Sequence, residues 1–132
     1  MLFPRKLFER ARCSEKEKAT LVSTVRTVVA LDLKVEREGL LALESNVEGS
    51  ESFLAQGLRE IISGTAGQTF EADLFACLVS CDLKGVALLE RMIVAEGLMG
   101  INEGWNPETM KLRLLAYLGD SFFFAAMRAE RQ

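Results

Sequence analysis

The chain contains no histidine. That absence excludes serine–histidine and cysteine–histidine nucleophile systems, and histidine-ligated metal sites with them. There are two prolines, and no segment alternates apolar and polar residues as a half-buried strand does. The cysteines, Cys13, Cys77 and Cys81, are odd in number and form no CxxC pair. Cys77 and Cys81 stand four apart in the apolar run LFACLVSC, so they are expected to be small buried residues on one helix face rather than a redox or metal pair.

Long hydrophobic runs are missing too. The most apolar stretch, residues 85–101, is interrupted by Glu90, Arg91 and Glu96, which a membrane-spanning helix would not tolerate. The N-terminal MLFPRKLFERARC carries basic residues where a signal peptide needs an apolar core. Net charge is −3, with both signs interspersed, so no basic stripe for nucleic acid and no polybasic membrane patch is seen. A soluble cytoplasmic protein is expected, with no nucleic-acid partner and no membrane insertion.

Nor is a catalytic constellation visible. SGTAGQT lacks the lysine and spacing of a phosphate-binding loop. Glu36, Glu38 and Glu44 are interleaved with Lys34 and Arg37, the pattern of a solvated helix face rather than a carboxylate metal cage. The expectation is no enzyme, no catalytic residue, no cofactor and no metal.

What is present is a repeat. Residues 53–78 recur, without a gap, as residues 93–118, with nine of 26 positions identical, where ordinary composition would give about two. The shared residues include Gly57/Gly97, Leu58/Leu98, Ile61/Ile101, Gly64/Gly104, Leu74/Leu114 and Leu78/Leu118. Apolar residues recur at three and four positions, so each copy reads as a helix, a glycine-terminated turn and a second helix. Two such hairpins can bury their stripes against each other or against a partner's hairpin. DLK at 82–84 also repeats DLK at 32–34, which suggests a longer repeat unit.

The fold class that follows is all-α: one small domain of five to six helices built on the two hairpins, over residues 14–132, preceded by an amphipathic arm at 1–13. Ser14 and Glu17 form a capping-box pattern, so a helix should start near Glu15, carrying Leu21, Val22, Val25, Val28, Val29 and Leu33 on its apolar side. It either continues through VEREGLLALES or breaks near Gly39. NVEGSES at 46–52 reads as a loop. Further helices are predicted at 51–63, 67–81, 83–103 and 107–119, the last started by Asn106-Pro107. SFFFAAMRAERQ at 121–132 is an amphipathic tail.

Two segments carry a resemblance. VEREGLLALE at 35–44, with FLAQGLREIISGT at 53–65 and TFEADL at 69–74, resembles the cytoplasmic segment between the second and third membrane helices of the flagellar-motor stator protein MotA family. ERMIVAEGLMGINEGWNPETMKLRLLAYL at 90–118 resembles that family's C-terminal end, although Trp105 intervenes between Gly104 and Asn106. The family's four membrane helices have no counterpart in this sequence, so ion-channel activity does not carry over. A basic residue that contributes to rotor contact in the family aligns with Glu36, beside Arg37, while the acidic position at the motif's end is kept as Glu44. The resemblance implies a helical protein-interaction module associated with motility or membrane machinery.

The expected function is therefore non-enzymatic protein binding, with self-association through apolar hairpin faces. Glu36, Arg37 and Glu44 are the expected partner-facing charges. Trp105 either anchors an interface or staples the two hairpins. The run Phe122, Phe123, Phe124 either covers the core or docks on a partner. The alternative is a small-ligand or lipid-binding domain with a pocket lined by Phe70, Phe75, Met92, Met99 and Met110.

Overall fold

The computed structural model describes residues 1–131. All its regular elements are helical: α1 (Arg5–Arg10), α2 (Glu15–Thr20), α3 (Val22–Glu38), a 3-10 turn (Leu40–Leu43), α4 (Glu44–Val47), α5 (Phe53–Ile62), α6 (Gly67–Ser80), α7 (Gly85–Glu103), α8 (Pro107–Ala116) and α9 (Asp120–Glu130). The predicted tail extends one position further, to Gln132, which lies outside the described residues.

The helix count exceeds the expected five to six for local reasons. The capping box forms: Glu17 N–H donates to Ser14 Oγ at 3.1 Å and Ser14 N–H to Glu17 Oε1 at 3.0 Å. The helix it starts is interrupted at Leu21, whose N–H bonds back to Lys18 O. There the hydroxyls of Thr20 and Ser23 donate to the carbonyls of Glu17 and Thr20, competing with the backbone ladder. The second interruption is at Gly39, so the break is realised and the run through VEREGLLALES is not. The arm and the tail are helices as well, and the predicted loop at 46–52 is helical until Val47.

The core is organised around α7. Residues 92–101 are all buried, ten in succession, as expected of a helix that is apolar on every side. α3, α5, α6, α8 and α1 all pack on it. The two copies share their turn. Gly64 N–H bonds Ile61 O and Thr65 N–H bonds Glu60 O, and forty residues on Gly104 bonds Ile101 and Trp105 bonds Gly100 in the same way. Gly64 and Gly104 have φ of 100° and 79°, left-handed values that favour glycine in this C-terminal motif. Asn102 of the second copy clamps the first copy's turn, accepting from Gly67 N–H at 3.1 Å and donating to Thr65 O at 3.2 Å.

The hairpins do not meet as two equal layers. Both helices of the first copy, α5 and α6, pack on α7, while α8 packs on α3 and α9. The unrepeated α3 therefore completes the core. Close approach explains two shared glycines: a Cβ on Gly57 would fall inside Leu98, and one on Gly97 inside Val28. The DLK recurrence has no structural counterpart, because Asp32 lies within α3 and Asp82 in the connection before α7.

The arm is docked on the rest of the chain. Leu7 and Ala11 are buried. The Arg10 guanidinium donates to the carbonyls of Leu78, Cys81 and Leu83 at 2.9, 3.0 and 3.0 Å, serving orphan carbonyls at the end of α6.

Candidate functional site

α3 ends in a knuckle. After Gly39 the chain turns through the 3-10 segment, burying Leu43 completely while leaving Leu41 69% exposed. Val47 of α4 is buried and anchors the far side. Lys34 Nζ donates to Asn46 Oδ1 at 2.9 Å, tying α4 back to α3. Arg59 of α5 donates to Val47 O at 2.7 Å and to Ser50 O, holding the loop that follows. Glu36, Arg37 and Glu44 are all exposed, and none forms an ion pair among the described residues. The knuckle thus presents an exposed apolar side chain in the same segment as charges of both signs that form no ion pair among the described residues.

Asp32 lies one turn before Glu36 on α3. It is 97% buried by its residual exposure of 3%, and its Oδ2 has no hydrogen-bond partner. Burial first, and then the charge of Glu36, raise its pKa from 3.8 to about 6. Among the described residues no group of three or more acidic or cysteine side chains converges to hold a metal ion.

The other buried carboxylate is satisfied. Glu96 in α7 accepts the Tyr117 hydroxyl at 2.7 Å and the Met1 ammonium at 2.8 and 3.0 Å. Tyr117 is pushed well above its ordinary pKa, first by burial and then by the charge of Glu96 and the hydrogen bond to it. This cluster joins α7, the end of α8 and the N-terminal arm.

Trp105 lies in the turn between α7 and α8. It closes its own α7–α8 turn, where its ring lies over Gly100, the Arg113 guanidinium stacks 4.2 Å from its centroid and its Nε1 donates to Glu103 at 3.0 Å. Phe122 packs against the core, whereas Phe123 and Phe124 form an edge-to-face pair at 5.2 Å with Phe124 53% exposed. The cysteine expectation is corrected: Cys77 is exposed and Cys13 and Cys81 are half-buried. Desolvation raises the Cys13 thiol pKa, followed by the charge of Glu17.

The expected methionine-lined pocket is not formed. Phe70, Met92, Met99 and Met110 are core residues, filling space with almost no exposure, and Phe75 is half-buried. A groove of about 800 Å³ lies instead between α3, α8 and α9. The pattern of α3 contained a signal for it. Its apolar residues form two stripes: Val25, Val28 and Leu31 are buried, while Val22, Val29 and Leu33 remain half-exposed along the groove.

Comparison of the chain with protein-family models, with curated proteins and with solved structures gives no match. The fold and the sites define an all-helical protein, and among the described residues no helix is long and apolar enough to cross a membrane.

Proposed function

We propose that this chain is a non-enzymatic protein-interaction module whose partner-facing surface is the knuckle after α3. The observation that carries the proposal is Leu41, a large apolar side chain held 69% exposed on a turn anchored by buried Leu43 and Val47. An exposed leucine on a scaffold tied down by Lys34–Asn46 and Arg59 loses little entropy on binding. The flanking Glu36, Arg37 and Glu44 supply orientation and on-rate through charge complementarity. The resemblance of residues 35–44 to the cytoplasmic segment of stator proteins favours a partner in motility or membrane machinery.

Affinity purification from the native cell, comparing the unmodified chain with Leu41→Asp and with Arg37→Glu/Glu44→Lys, tests the proposal. The expected result is a captured motility-type partner lost from both variants, whose circular dichroism and melting temperature stay unchanged. Equal capture by all three proteins would remove the knuckle as the site.

A further inference from the structure

The groove between α3 and α9 lies apart from the knuckle's own residues, and it has a chemistry of its own. Along α3, Val22, Val29 and Leu33 open onto it, and Leu115 of α8 with Phe122 and Ala126 of α9 close its other sides. Val22 lies one turn before Arg26 on α3, and Val29 and Leu33 follow it, so the apolar stripe continues about 10 Å beyond this cation. The volume of about 800 Å³ falls in the range of small-molecule sites. The only charged residues lining it are Arg26 of α3 and Lys111 of α8, both cations in a chain of net charge −3. Neither is paired with a carboxylate among the described residues.

We infer that this groove binds a single-chain anionic amphiphile, a long-chain carboxylate, with its tail along the valine stripe and its head group between Arg26 and Lys111. The apolar walls accept the tail, which leaves water on binding. The two unmatched cations select an anionic head over a neutral or cationic one. α9 packs on α8 and forms one wall of the groove, so its position adjusts the width available to the tail.

The test is calorimetric titration of the whole chain with dodecanoate, dodecanol and dodecylamine below their aggregation concentrations. Saturable one-to-one binding of dodecanoate is expected, about tenfold or more tighter than the other two. Arg26→Glu/Lys111→Glu should abolish the preference for the anion, and Ala30→Trp, which places a ring in the groove from an exposed position, should abolish binding of all three. Equal binding of the three amphiphiles, no saturable binding, or unchanged dodecanoate affinity in either variant overturns the inference. So does a dimer of the unmodified chain that Ala30→Trp converts to monomer, which would put a second copy in the groove. None of these outcomes depends on Leu41, so failure here leaves the knuckle proposal standing.

Discussion

Gly97 of α7 lies directly beneath Val28 of α3, so closely that a Cβ at position 97 would overlap the valine Cγ1. Gly97→Ala should therefore destabilise the protein by about 1–3 kcal/mol through overpacking, although alanine is the better helix former. Val28→Ala in the same chain should recover part of the loss. Urea denaturation of the two single variants and the double variant measures this. Simple additivity of the two losses would show that the helices do not touch there.

Tyr117→Phe keeps the ring, which stacks near Phe3 and Phe8, and removes only the hydroxyl that Glu96 accepts. Loss of that donor to a buried carboxylate should cost about 1–3 kcal/mol. In a Glu96→Leu background the same change should cost less. A double-mutant cycle with no coupling energy would mean that the hydroxyl does not stabilise Glu96.

Arg10 joins the arm to the end of α6 through its carbonyl contacts. Arg10→Met retains much of the apolar stem but no donor, and should destabilise by about 2 kcal/mol. Hydrogen exchange should accelerate at the end of α6 and in residues 81–84 before it changes in α7. A uniform increase over the whole chain would argue against a local capping role.

Asp32 makes stability depend on pH in the direction opposite to an ion-paired carboxylate. Its folded pKa of about 6 stands above the ordinary value of 3.8, so the folded state holds a proton that the unfolded state releases. This contribution is complete below pH 3.8 and is lost as pH rises through 6. Asp32→Asn should flatten this slope and raise stability at pH 7 by on the order of 1 kcal/mol. Denaturation midpoints between pH 4 and 7 that show the same slope in both proteins would refute it.

Much of the helical pattern was open to direct reading because its causes are local. The Ser14–Glu17 box, the Asn106 cap and the Gly64 and Gly104 turns each satisfy backbone groups within a few residues. The repeated Leu58/Leu98 and Leu74/Leu114 positions are buried in both copies, because the same helix face turns inward each time. Of the candidate site, Glu36, Arg37 and Glu44 were recognisable as a solvated charged face, and the structure leaves them exposed.

The residues that escaped the sequence reading depend on distant neighbours. Leu41 differs in no local way from Leu40 and Leu43, yet only the packing of the turn against α3 and α5 leaves it exposed. Nothing local to Trp105 announced that Gly100 and Arg113 would flank its ring. The methionines were compatible with a pocket until the centre of the fold fell on α7.

The sequence by itself determined that the chain is helical and placed the glycine turns of the repeat, because periodicity and capping act over three to five residues. Only the tertiary structure decided which apolar face is core and which is groove. Val25, Val28 and Val29 are alike in chemistry. Val28 is buried because Gly97 on a helix 69 positions away lets it approach, and Val29 stays half-exposed because nothing from α9 reaches across to cover it.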